Sequence, residues 1–153
     1  MGRIWKIYEL QIYEFGKKDI KRAVNASMNA FEILSPNDET LFEMMEFIMS
    51  YDTTVAYDLI LKNIENNTKY HMYPFYIAIQ KSRSPIFVKP LLKQLEIVTQ
   101  PNTYYGIVYA LLSYKDDAIN NKVIQSVKIR IASSNESNRK NLQELFKQYS
   151  ITL

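Results

Sequence analysis

With 153 residues, 47% hydrophobic and 23% charged, the chain is long enough to bury one continuous core and too apolar for disorder. Three glycines, five prolines and no cysteine exclude a turn-dense β-sandwich, disulfides, thiol catalysis and Cys-ligated zinc. The formal charge of +3 is uneven: residues 1–65 hold 11 acids and 7 bases, residues 66–153 hold 5 acids and 12 bases, so the two halves carry opposite fields.

The first stretch, MGRIWKIYELQIYEF, has no apolar core followed by small residues, so no signal peptide is expected. Lys6 stands where a myristoylation signal wants Ser or Thr. No run approaches the roughly 18 apolar residues of a membrane span, and a cytoplasmic protein without a membrane partner is the expectation. Ile4–Phe15 is predicted as a helix, with Trp5, Tyr8 and Ile12 on one face, despite its β-favouring Ile, Tyr and Trp. Asp19–Leu34 is an amphipathic helix with Ile20, Val24, Met28 and Phe31 on one side. Ser35-Pro36 is a helix start, a capping residue followed by proline in the first helical position. Thr40–Met49 follows, its Leu41, Met44, Met45, Ile48 and Met49 at helical spacing and Glu39, Glu43 and Glu46 striping the other side.

From there the chain repeats itself. Ile48–Ile64, Ile79–Leu95 and Leu111–Val127 align without gaps, with starts 31 and 32 residues apart. Each has an apolar helix end, a Ser-containing hinge and a second apolar-periodic segment. In the first and third the hinge is nearly the same tetrapeptide, Ser50-Tyr51-Asp52-Thr53 and Ser113-Tyr114-Lys115-Asp116. Asp52 or Thr53, and Asp116 or Asp117, are the expected caps of the helices that follow, and Ser84-Pro85 is a second start signal. Asn66-Asn67-Thr68 and Pro101-Asn102-Thr103 separate one pair from the next. Pro74 and Pro90 fall inside predicted helices, which must begin late or kink there. Glu136–Tyr149, with Leu142, Leu145, Phe146 and Tyr149 in a stripe, closes the chain. The expected fold is all-α: one domain, a short α-solenoid of helical hairpins over residues 3–34, 36–66, 69–99 and 103–131, with a closing helix at 136–149.

Catalytic apparatus is not visible. His71 is the only histidine, the glycines at positions 2, 16 and 106 are far apart, and no nucleophile elbow, phosphate-cradling loop or metal-ligand cluster is spelled out. No enzyme activity, cofactor or metal is expected. Two surfaces invite partners instead. Between Arg22 and Lys62 there is no Lys or Arg but seven acids, which forgo the mixed-sign pairs that surface helices ordinarily make. Asp52 and Asp58, with the aromatics Tyr51 and Tyr57, lie on the next helix and extend this patch, which suits electrostatic steering of a basic partner. The opposite reading uses the basic half: Lys81, Arg83, Lys89, Lys93, Lys115, Lys122, Lys128 and Arg130 on phosphates, with Tyr104 and Tyr105 stacking on bases. A third is a scaffold with a peptide partner.

The repeat resembles the HEAT-like class of helical hairpins over about residues 20–149, although its period is shorter than the roughly 40 residues of those repeats. The stretch ETLFEMMEFIMSYDTTVAYDLILKNI has an acidic-aromatic helix, a Ser-Tyr-Asp hinge and an apolar helix. It is similar to the small all-helical immunity proteins of bacterial polymorphic-toxin and contact-dependent growth inhibition systems. That resemblance implies neutralisation of one cognate protein toxin, usually a nuclease with a basic cleft, and no activity of its own. The partner-binding residues would then be Glu39, Glu43, Glu46, Tyr51, Asp52, Tyr57 and Asp58, the acids mimicking nucleic acid and the tyrosines supplying buried contact.

Overall fold

Apolar residues three and four apart become helices wherever the chain is described. The computed structural model describes residues 19–33, 40–66 and 73–153. The helix predicted at Ile4–Phe15, the Ser35-Pro36 signal, Glu39 and His71 lie outside the described residues. Among the described residues are eight α-helices and no strand. They are α1 (Ile20–Ile33), α2 (Thr40–Tyr51), α3 (Thr53–Asn66), α4 (Tyr73–Ser82), α5 (Val88–Ile97), α6 (Pro101–Leu112), α7 (Asp117–Ser133) and α8 (Glu136–Gln148), with a 3-10 turn at Pro85–Phe87.

Four helix starts are closed in the same way. The side-chain oxygens of Asp19, Asp52, Asp116 and Asn135 accept from the backbone N–H three residues on, at 3.1, 3.0, 2.9 and 2.9 Å. Each satisfies a donor that the first helical turn leaves unpaired. The caps of α3 and α7 are therefore Asp52 and Asp116, not Thr53 and Asp117. Neither proline bends a helix: Pro74 is the second residue of α4 and Pro90 the third of α5, where a missing N–H costs nothing. Pro101 opens α6 two residues before the predicted start, and α7 runs two residues beyond its predicted end.

The packing follows the sequence repeat. α2, α4, α6 and α8 contact one another in succession, and so do α3, α5 and α7; α1 packs on α2. Ile48, Ile79 and Leu111, at equivalent repeat positions, are fully buried, as are Ile60, Leu91 and Val123 twelve residues further on. Each such side chain stabilises the fold by about 1.5–3 kcal/mol through burial. α6 comes so close to α4 that a Cβ on Gly106 would sit 2.3 Å from the Tyr76 ring. The hinges repeat as well. The hydroxyls of Ser50, Ser82 and Ser113 each donate back to a carbonyl of the helix that leads into the hinge, at 2.8, 3.2 and 2.6 Å. Arg83 and Lys115, again equivalent, both take the left-handed conformation, with φ of 48° and 53°, the turn that commonly ends a helix.

Candidate functional site

On the acidic helices the structure separates residues that the sequence grouped. Glu43, Phe47 and Tyr51 are four residues apart and share one face of α2. The Phe47 and Tyr51 rings lie 4.8 Å apart, and Tyr51 remains 54% exposed. Glu43 and Asp58 are exposed with no ion-pair partner among the described residues. Glu46 is different: its carboxylate pairs with the Lys81 ammonium on α4, so the base-free stretch is partly neutralised by the next hairpin. Asp52 is exposed, but one carboxylate oxygen is engaged in capping α3. Tyr57 is half-buried, its ring edge-on to Phe87 at 4.9 Å, so much of its surface is used inside the protein. Of the seven residues predicted to bind a partner, Glu43, Tyr51 and Asp58 present the most uncommitted surface, and Glu39 lies outside the described residues.

The basic half is also partly committed. Arg130 donates to the carbonyls of Val98 and Thr99 at 2.5 Å each, and its guanidinium lies 4.1 Å from the centre of the Tyr104 ring. Tyr104 is buried, and its hydroxyl shares a hydrogen bond with Ser126 at 2.8 Å. Burial pushes the Tyr104 phenol above its ordinary range, against the smaller opposing effects of Ser126 and Arg130. Lys81 is held by Glu46. Two of the eight proposed phosphate contacts and one of the two proposed base-stacking rings thus have structural employment.

A second surface was not anticipated. A groove of about 1750 Å³ runs from Phe42 on α2 and Tyr73 on α4 across α5 and α6 to α7 and α8. Phe42, Tyr73 and Tyr105 stand six residues before Ile48, Ile79 and Leu111, so they form an aromatic row at one repeat position. Phe42 and Tyr73 meet edge-to-face at 5.7 Å. Burial first, then the neighbouring Tyr73, Tyr109 and Glu144, raises the Tyr105 phenol. The groove exceeds the roughly 300–1,000 Å³ of small-molecule sites. The signal was present in the aromatic-rich segments that precede each hinge, but composition alone did not say which rings would be left outside the core.

Among the described residues no group of His, Cys, Asp and Glu is placed to hold a metal ion, and no helix is long and apolar enough to cross a membrane. The described residues form an all-helical array of packed hairpins. No protein-family model, no curated protein and no solved structure matches it.

Proposed function

We propose that the chain is a short α-solenoid of HEAT-like hairpins that acts as an immunity protein, binding a cognate toxin and covering its basic, nucleic-acid-reading cleft. The solenoid reading is supported by the successive packing of α2, α4, α6 and α8 on one side and α3, α5 and α7 on the other, the arrangement that stacked repeats produce. The observation that carries the functional reading is the line of Glu43 and Tyr51 on α2. It puts a carboxylate with no ion-pair partner among the described residues and a tyrosine 54% exposed on one helix face, in a stretch with no base of its own. Keeping like charges together is unfavourable within the molecule and favours encounter with a basic partner. Tyrosine supplies a large contact area at low entropic cost. Asp58 adds charge from α3, and the protein acts without a cofactor, by occlusion.

Co-expression with the product of the adjacent upstream gene tests this. The expected result is a stable complex in which the toxin's nuclease activity is suppressed. Glu43→Lys with Asp58→Lys should lower the association rate by about tenfold at low salt, with the difference shrinking as salt rises. No complex, or an association rate indifferent to both charge and salt, overturns the proposal.

A further inference from the structure

Two successive seams of the helix stack are built differently. Between α4 and α6 the Tyr76 ring is buried against Gly106, where even a Cβ would sit 2.3 Å from it. One repeat earlier, between α2 and α4, the same two positions hold Met45 and Pro74. A proline ring cannot be approached as closely as a glycine, and a thin, unbranched methionine covers less of the facing helix than a tyrosine ring. That seam keeps a slot of about 380 Å³, inside the range of roughly 300–1,000 Å³ typical of small-molecule sites.

The lining selects a chemistry. Its apolar walls are Phe42, Met45 and Met49 from α2 and Pro74, Ile77 and Ala78 from α4. Methionine sulfur makes favourable contacts with aromatic rings, and the flexible side chain adapts to their shape; Phe42 adds a ring of its own. The polar groups are gathered beside the Glu46–Lys81 ion pair, with Ser50 one turn beyond Glu46 and Ser82 next to Lys81. The paired charges cancel, so neither an anion nor a cation is favoured. The Ser50 and Ser82 hydroxyls already donate to backbone carbonyls, which leaves them, like the Glu46 carboxylate, as acceptors for a hydroxyl brought by a ligand.

We infer that the slot between α2 and α4 binds a small, neutral aromatic alcohol, a phenol or naphthol. Its ring lies between Met45, Met49 and Ile77, and its hydroxyl meets the Glu46–Lys81 end. The ligand does at this seam what the Tyr76 ring does at the next one, bridging two hairpins with a flat apolar surface. None of this depends on Glu43, Tyr51 or Asp58, so it stands or falls separately from the acidic face.

The test titrates the full chain with 2-naphthol, followed by the fluorescence of the probe and by the methyl resonances of the methionines. Saturable binding with a dissociation constant below about 1 mM is expected. The Met45 and Met49 methyls should shift, while that of Met28, packed against Val24, Ile48 and Ala56, should not. Naphthalene should bind about fivefold more weakly for want of one hydrogen bond, and Glu46→Ala with Lys81→Ala should erase that preference. Ile77→Trp, which fills the slot, should weaken 2-naphthol by about tenfold or more, while Glu43→Lys leaves it unchanged. Circular dichroism checks that the variants fold, and the methionine shifts locate the site without any variant. N-acetyl-tyrosinamide, standing for a partner's side chain, and the charged 2-naphthoate should both bind more weakly. No saturable binding, shifts at Met28 equal to those at Met45 and Met49, indifference to a folded Ile77→Trp, or tighter binding of naphthalene, N-acetyl-tyrosinamide or 2-naphthoate overturns the inference.

Discussion

The hinge after α2 and the hinge after α6 are spelled almost alike, yet their tyrosines do different work. Tyr51 ends α2, packs on Phe47 and is 54% exposed. Tyr114 is half-buried, and its hydroxyl donates to the Ser84 carbonyl of the preceding hinge at 2.7 Å. One residue makes the difference. After α2, Asp52 follows the tyrosine at once and caps α3. After α6, Lys115 intervenes in the left-handed conformation, and the cap falls to Asp116. With the cap one position later, α6 ends before Tyr114, whose hydroxyl reaches back across the repeat. The same motif is thus a strut between units in the C-terminal half and an outward-facing ring in the N-terminal half.

If the C-terminal units depend on tight contact between successive hairpins, the largest effect should come from prising α4 and α6 apart. Gly106→Ala places a methyl within 2.3–2.4 Å of Tyr76 ring carbons, and Tyr76 is buried and cannot swing away. Alanine in a helix interior ordinarily gains about 0.5–1 kcal/mol over glycine. Here a net loss of about 3 kcal/mol is expected from overpacking, read as a lower urea midpoint at unchanged slope. A gain in stability would mean that the two helices are not in this contact.

The hinge comparison itself is sharpened by removing each hydroxyl. Tyr114→Phe should cost about 1 kcal/mol, the net worth of a hydrogen bond, whereas Tyr51→Phe should leave thermal unfolding unchanged. Alkaline titration adds a second reading. Burial, and then the neighbouring Tyr57, pushes the Tyr114 phenol from 10.0 up to about 12. The unfolded chain therefore loses its proton first. The stabilisation is fully present below pH 10 and is lost as pH rises through about 12. The Tyr114→Phe variant should show a shallower loss of stability over that interval. Equal behaviour of the two variants would erase the distinction between the hinges.

Much of this fold was legible because apolar spacing reports directly on burial. Leu41, Met44, Met45 and Ile48 read as one face and are buried together, and the gap-free alignment at 31 and 32 residues placed Ile60, Leu91 and Val123 at one structural position. Caps were legible to within one residue, since Asp52 and Thr53 offer the same chemistry and only geometry chooses. The binding surfaces were less legible. Charge is a property of sequence, but pairing is a property of distance: nothing local tells Glu46 that Lys81, thirty-five residues on, will meet it. The groove was hidden for a related reason. Phe42, Tyr73 and Tyr105 resemble core aromatics until the hairpins are stacked and one ring per unit is left at the open side.

The smallest expected effect concerns that ion pair, which joins the base-free stretch to the next unit. Glu46 and Lys81 are 62% and 59% exposed, so water screens both charges, and holding two long side chains together opposes the Coulomb gain. A double-mutant cycle with Glu46→Gln and Lys81→Gln should return a coupling of about 0.5 kcal/mol or less, and none in about 1 M salt, where the Debye length is near 3 Å. Its consequence for association should be the larger one. Freed of Lys81, Glu46 adds a full negative charge to the face that carries Glu43. Lys81→Gln should therefore speed encounter with a basic partner while barely moving the unfolding curve. A coupling above about 1.5 kcal/mol would instead mark the pair as part of the scaffold, and the acidic surface would shrink to Glu43, Asp52 and Asp58.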